Sequence, residues 1–477
     1  MQEAAFAPAV PGIESTVTTI PITPTSNNQD HPPGPGPGKR PGVVLIIAGS
    51  LAIGLVAALL LAAAPFIPPE EDAVTGAVLI GFGLGWAMLA VLSIRFTDQP
   101  QRWAAAPAAF MGLGGLLLVL FGPAARGVLN WVWPPILLVL VIWMALRVHR
   151  QLRSRIGRWL LYPVIAVLAV AAVGGGYETA MEAVDARAHP MPGALIDVGG
   201  HSLHLNCTGS GSPTVVLEPG AGEMSAVFGW IAPAVARDTR VCAYDRAGRG
   251  WSEPAAAPQD AAQIATDLHT LLHRADVAGP YVLAGHSFGG LYVQTFAALY
   301  PDEVAGMVLI DSTAPAGPAK PEESSSPDSG SYDLTGRVAA LVSASARVGV
   351  GRLYGQFDYA SLPPAAREVA RASVAKAGQL GSTVDEYVQG NPSMEQAATL
   401  EGFADKPLLV LSAGSGSSPD WPAQQEAMAA LSPTSTHRVI DGATHASLVS
   451  DEEDAAATTQ GILDVVASVR SGEPQVR

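Results

Sequence analysis

Apolar and polar positions follow two different rhythms along this chain. In the N-terminal part, five charge-free apolar runs cover residues 41–69, 73–94, 103–125, 127–146 and 159–177, separated by short polar joints. A helix needs about 20 residues to cross ~30 Å of hydrocarbon, and each run is near or above that length. Five membrane-spanning helices are therefore predicted over 41–177. From Met191 onward, short β-rich runs alternate with longer helical stretches. Strands are predicted at 194–198, 202–207, 214–218, 240–244, 281–285, 306–311, 407–412 and 435–440, with helices at 259–275 and 288–300. Strands alternating with helices imply parallel pairing through right-handed crossovers. The expected class is α/β, a doubly wound, mostly parallel sheet opened by an antiparallel hairpin. Residues 312–405 separate two successive strands by far more than a loop of ~4–6 residues. They are expected to form a helical cap, beginning with a flexible Pro/Ser tract (314–329) and continuing as helices around 334–348 and 364–379.

The polar joints set an orientation. Lys39 and Arg40 precede the first run, Arg95 and Arg102 bracket the second joint, and five arginines from Arg147 to Arg158 crowd the fourth. Between them the first joint carries Glu70, Glu71 and Asp72, and the third only Arg126. This alternation is what the positive-inside rule requires of a cytoplasmic N-terminus. An odd number of spans then exports everything after residue 178. Five tryptophans near run ends (Trp103, Trp131, Trp133, Trp143, Trp159) suit interfacial belts. No ionisable residue lies inside any run, so ion or proton transport is not expected and an anchor is.

Residues 1–40 form a Pro/Gly-rich tail that is expected to be disordered, and 178–192 a linker between the 41–177 membrane domain and a catalytic domain over 193–477. Since the first apolar run starts only at Val43, no cleaved signal is expected.

Composition sharpens two points. Across 477 residues, apolar residues reach 49%, charged residues only 14%, and the mean hydropathy is +0.28, as expected when part of the chain lies in lipid. Residues 1–176 carry 10 Lys+Arg against 7 Asp+Glu and the remainder 17 against 35, net charges of +3 and −18. So acidic a C-terminal part repels phosphate backbones, and nucleic-acid binding is excluded. Only 4 of the 27 basic residues are Lys, a usage typical of high-GC bacteria. The expected location is thus a bacterial cell membrane.

The chemistry centres on Tyr281-Val-Leu-Ala-Gly-His-Ser-Phe-Gly-Gly290. An apolar strand runs into G-H-S-F-G and then directly into a helix. Glycines flanking the serine permit the tight strand-to-helix turn that lifts a nucleophilic Ser287 hydroxyl above the sheet edge.

The sequence resembles the α/β-hydrolase superfamily over residues 192–470, specifically the cap-bearing serine hydrolases that include esterases, lipases and proline iminopeptidases. The resemblance rests on Pro219-Gly220-Ala221-Gly222, then Asp245-Arg-Ala-Gly-Arg-Gly-Trp-Ser252, then the serine turn, then Asp311 or Asp420, then His445. Pro219-Gly220 replaces the family's usual His-Gly, which leaves a backbone role intact. The resemblance implies an α/β-hydrolase fold, no metal or organic cofactor, and backbone N–H groups of Phe288 and Ala221 as the oxyanion hole. It also implies a structural, arginine-anchored turn over 245–252.

A serine hydroxyl needs a base. Downstream of Ser287, His437 would be bound in a strand, whereas His445 sits in a glycine-containing loop past the last strand and is the expected base. His286 is expected to pack or hydrogen-bond. The acid stays open between Asp311, at the end of VLIDST, and Asp420, in a Gly/Ser-rich loop; Ser417 falls where many relatives place it. Cys207 and Cys242 lie on strands that are neighbours in the family's order, and with the domain exported they are expected to form a disulfide. Cap aromatics Tyr332, Tyr354, Phe357, Tyr359 and Tyr387 are expected either to line an acyl pocket or to pack the lid.

The function expected is cleavage of a small-molecule or lipid ester by an integral membrane serine hydrolase, with oligomeric state open. An acyltransferase or aminopeptidase on the same triad, or a non-catalytic membrane sensor, are the alternatives.

Overall fold

The computed structural model describes residues 42–315, 333–416 and 418–473. The expected tail at 1–40, most of the Pro/Ser tract, Tyr332 and Ser417 lie outside the described residues. Four helices among the described residues are long and apolar enough to cross a membrane, where five were expected: α1 (Val43–Ala62), α2 (Glu71–Phe96), α3 (Ala105–Gln151) and α4 (Arg155–Ala188). The runs 103–125 and 127–146 share α3. A straight helix of 47 residues would extend about 70 Å, more than twice the hydrocarbon thickness. Instead, Gly122 leaves helical geometry (φ 48°, ψ −128°), a conformation open to glycine, and Pro123 starts the second limb. Phe110 and Trp133, nearly equidistant from that break, stack at 3.9 Å, so the limbs fold back on each other. The break is at Gly122, while Pro134-Pro135 lies inside the second limb.

The expected linker 178–192 is also different, because α4 continues to Ala188. Its last turns carry Glu178 and Asp185, and these acids have a partner that holds the helix in place.

The soluble half is an eight-stranded sheet, β1 (Ala194–Asp197), β2 (Ser202–Thr208), β3 (Thr214–Glu218), β4 (Val241–Asp245), β5 (Tyr281–His286), β6 (Val304–Ile310), β7 (Leu408–Ala413) and β8 (Ser435–Ile440), in the order β1-β2-β4-β3-β5-β6-β7-β8. Only the β1–β2 and β2–β4 pairings are antiparallel. Alternate residues face opposite layers. Val215, Leu217, Val282 and Ala284 pack one side, with α5 (Ile231–Val235), while Val216, Tyr281 and Leu283 pack the other, with α6 (Ala261–Arg274) and α7 (Gly289–Leu299). Burial on both faces is why these strands read as continuous apolar runs. Cys207 and Cys242 pair across β2 and β4 in a disulfide.

The cap is α8 (Leu334–Ala346), α9 (Val350–Gly355), α10 (Pro364–Val374), α11 (Ala377–Val388) and α12 (Gly390–Ala397), after which α13 (Trp421–Ala429), α14 (Ser447–Ser450) and α15 (Glu452–Ser471) complete the chain. The helix expected at 364–379 is split by extended Lys376, whose ammonium reaches the carbonyl of Gly250 at 2.8 Å.

Three cap arginines tie the lid to the helical bundle. The Arg352 guanidinium donates to both oxygens of Glu178 at 2.8 Å and lies 2.9 Å from Asp185. Arg337 donates to the carbonyls of Ala62 and Ile67, at 2.7 and 2.6 Å, and Arg347 pairs with Glu71.

Candidate active site

Ser287 stands between the end of β5 and the start of α7 with φ +55°, in the left-handed region. A Cβ at Gly285 would lie 2.5 Å from the carbonyl oxygen of Gly289, and one at Gly289 would lie 2.4 Å from that of Glu218. Both positions therefore require glycine, which is the steric content of G-x-S-x-G. The turn is held because Ser287 N–H donates to Ile310 at 3.1 Å and the Ser287 carbonyl accepts from Thr313 at 3.0 Å.

Asp311 lies one residue past β6, also at positive φ (+44°), and its side chain is sealed from solvent (1% exposed). One carboxylate oxygen, Oδ1, accepts from the Trp421 indole at 2.7 Å and from the Ala413 N–H at 3.0 Å. The other, Oδ2, is 2.7 Å from Nδ1 of His445, whose side chain is 46% exposed. Burial alone would raise the Asp311 pKa, but the bonds from His445, Trp421 and Ala413 outweigh it and hold the group below the usual carboxylate range. Asp420 is exposed ahead of α13 and makes no capping bond. The structure thus brings Asp311 to His445, and what it takes from the Asp420 region is the neighbouring tryptophan.

Two N–H groups remain open. Gly220 N–H donates to Glu223 and Gly222 N–H to Glu386, at 2.7 and 2.8 Å. Among the described residues, the N–H groups of Ala221 and Phe288 have no acceptor. The loop carrying Ala221 lies against Ser287, since a Cβ on Gly220 would come within 3.0 Å of the serine Cβ.

His286 does not point at substrate space. Its Nδ1 meets Glu223 at 3.0 Å and its Nε2 accompanies the His445 carbonyl at 3.0 Å. Burial would lower its pKa, and the Glu223 carboxylate reverses that and raises it. The pair braces the His445 loop against the Gly220 turn. His437 is held within the sheet by Ser412 at 2.7 Å.

Sequence reasoning overlooked the buried ionic cluster beneath this turn. Arg246 donates to Glu218 at 2.6 Å, to the carbonyls of Pro219 and Gly220 at 2.6 Å, and to Glu386 of α11 at 2.9 Å. Arg249 lies 2.9 Å from Glu386, and all four side chains are 2% exposed or less. Glu386 keeps its charge against burial because of the two guanidinium groups, which lower its pKa. One cap carboxylate thereby fixes both the arginine turn and Gly222. Truncation to Glu386→Ala leaves two arginines short of a counter-charge in a dry site, with an expected loss of about 3–5 kcal/mol. Denaturant unfolding checks this, and a variant within 1 kcal/mol of wild type, roughly the value of one exposed ion pair, would contradict it.

Beside the serine turn, a pocket of about 660 Å³ is bounded by Ala221 and Ala446 on the core side and by Tyr354, Phe357, Tyr359 and Tyr387 on the cap side. Four of the expected aromatics therefore line the pocket.

The sequence profile of the alpha/beta hydrolase fold matches residues 213–452, half of the chain. The chain belongs to the α/β-hydrolase family. It is 28% identical over 284 residues to an uncharacterized protein of Schizosaccharomyces pombe, covering 52% of this chain and 51% of that one. The chain thus spans about half the length of that relative, and 43% of the uncharacterized protein YqjL of Bacillus subtilis, to which it is 34% identical over 111 residues, 23% of this chain. Among solved structures it is similar to a thermophilic esterase from Thermogutta terrifontis, 23% identical with a TM-score of 0.42, covering 56% of this chain and 94% of that chain.

Proposed function

We propose that this α/β hydrolase is a membrane-anchored serine esterase that works through an acyl-enzyme, with Ser287 as nucleophile, His445 as base and Asp311 as the acid that orients it. The observation that carries the reading is the 2.7 Å contact between Asp311 Oδ2 and His445 Nδ1, with the His445 carbonyl 3.0 Å from Nε2 of His286, the residue before Ser287. The Ser287 hydroxyl attacks an ester carbonyl while His445 Nε2 takes its proton. The Phe288 and Ala221 N–H groups receive the oxyanion. Collapse of the tetrahedral adduct breaks the bond to the alcohol, which leaves with the proton from His445. Water, deprotonated by the same imidazole, then releases the acid and restores the serine. Asp311 holds the Nδ1–H tautomer and stays ionised throughout. A serine at the turn, with no carboxylate there, also favours ester cleavage over epoxide opening by an aspartate nucleophile. The aromatic pocket suits an apolar acyl or alkoxy group.

The test is a fluorophosphonate probe on the full-length protein in detergent. One phosphonyl adduct is expected, on the peptide containing Ser287. A folded protein that never labels, or labels elsewhere, would return the fold to a binding role.

The long apolar helices support integral membrane placement, and the alternating charge of their joints supports a catalytic half outside the cytoplasm. The Cys207–Cys242 disulfide fits an oxidising compartment. The α3 break preserves the parity of five limbs. A periplasm-active reporter fused after Arg477 is expected to be active, and one inserted between Arg147 and Arg158 inactive. The reverse pattern would mean that the α3 limbs do not cross separately.

A further inference from the structure

A second cavity lies away from Ser287, inside the helical bundle and beneath the cap. It offers about 250 Å³, partly open to the surface, between α2, both limbs of α3 and α4. Its lining is mixed in chemistry. Leu79, Met111, Leu137 and Leu168 are apolar lining residues, Leu118 packs against Gly76 beside Thr75, Asn130 and Thr179 add polar groups, and Glu71, Asp72, Arg126 and Arg347 gather at the end under α8. A largely apolar shaft with a charged mouth at the level of the α1–α2 joint matches an amphiphile aligned with the neighbouring lipids.

The charges at the mouth decide what kind of head fits. Two acids face two arginines, and they are already paired: Arg126 with Asp72 and, at 3.6 Å, with Glu71, and Arg347 with Glu71. An anionic or cationic head would have to break one of these pairs in a partly dry site, at a cost a neutral head avoids. One polar atom there is left over. The Thr75 hydroxyl is buried, lines the cavity and has no hydrogen-bond partner among the described residues. Buried hydroxyls are ordinarily satisfied, so an unmatched one facing this space indicates a missing donor or acceptor. Water alone would satisfy Thr75, but would leave the leucine-lined part empty or wet.

We propose that this cavity binds a neutral single-chain amphiphile whose head carries hydroxyl or ether oxygens, of the monoacylglycerol or alkylglycerol class, with the chain between α2, α3 and α4 and the head on Thr75. The site is separate from the catalytic pocket and does not rest on the Ser287 chemistry. Because Ala344, Arg347 and Val348 of the cap line its mouth, the bound molecule touches the lid as well as the bundle.

The test uses the full-length protein in lipid nanodiscs and an alkylglycerol with a diazirine in its chain, which no esterase can cleave. After irradiation, adducts are expected on the cavity-facing residues Met111, Leu137 and Leu168, above the level on outward-facing Leu45 and Leu60. Ala171→Phe, which fills the cavity, is expected to abolish the excess. Thr75→Val, which preserves shape and removes the hydroxyl, is expected to lower it about fivefold while thermal unfolding stays at the wild-type temperature. Adducts spread equally over inner and outer faces would overturn the site, as would an excess that survives both substitutions. A diazirine fatty acid or lysophosphatidylcholine that labels the cavity as strongly as the alkylglycerol would overturn the neutral head.

Discussion

Asp311→Asn should leave a folded protein whose kcat for an ester is lower by a factor on the order of 10⁴. The direction follows from the two oxygens of this carboxylate. Oδ1 accepts two N–H donors, from Trp421 and Ala413, while Oδ2 faces His445 Nδ1. An asparagine at 311 can keep only one oxygen, and the two fixed donors hold it at the Oδ1 position. The amide NH₂ is then aimed at the imidazole, which must accept there and carry its proton on Nε2. That tautomer cannot take the serine proton. Asp420→Asn, on an exposed side chain, should stay within twofold of wild type, since surface substitutions without a partner change little. Thermal unfolding of Asp311→Asn close to wild type is required for the comparison, because Asp311 also holds the Trp421 loop. A folded, active Asp311→Asn beside an inactive Asp420→Asn would reverse the assignment of the acid.

Ser287→Ala should cost more still, on the order of 10⁶ in kcat, because the covalent route disappears altogether. The residue that replaces serine inherits the same positive φ, so the turn and both open N–H groups stay in place. Residual hydrolysis over water, if measured, should then come from those donors and from binding alone. Fluorophosphonate labelling should vanish in the same protein. Undiminished labelling would remove Ser287 from the reaction, whatever happened to turnover.

The serine turn and the loop that carries His445 were legible because their signals are local. Ser287 is marked by glycines within two residues on either side, where backbone contacts leave no room for a Cβ. His445 follows the last strand within five residues, and the sheet itself sets which end of β8 that is. The strands read clearly for a similar reason, since a parallel sheet covered on both faces needs unbroken apolar runs. The break at Gly122 was legible only as two apolar runs, because the 125/127 boundary was drawn at Arg126 rather than at the Gly122-Pro123 pair that allows the turn.

Which aspartate meets His445 was not decidable from sequence, since two aspartates met the same local description. What separates them is the adjacency of β6 and β7, which lets Asp311 N–H bond Leu411 at 2.6 Å and places the Trp421 indole over its carboxylate. The Glu386 cluster was invisible for a related reason. Its acid stands 137 and 140 residues from its arginines, so the expected arginine-anchored turn at 245–252 carried no sign of the cap carboxylate that pairs with it. The same holds for Arg337, Arg347 and Arg352, which read as ordinary cap residues until α2 and α4 come beside them. Local steric rules and hydrophobic periodicity therefore determined the elements, the serine turn and the histidine. Which charges face each other was decided only by the tertiary structure, because the energy of a buried pair depends on distance and desolvation in space, and neither is encoded by spacing along the chain.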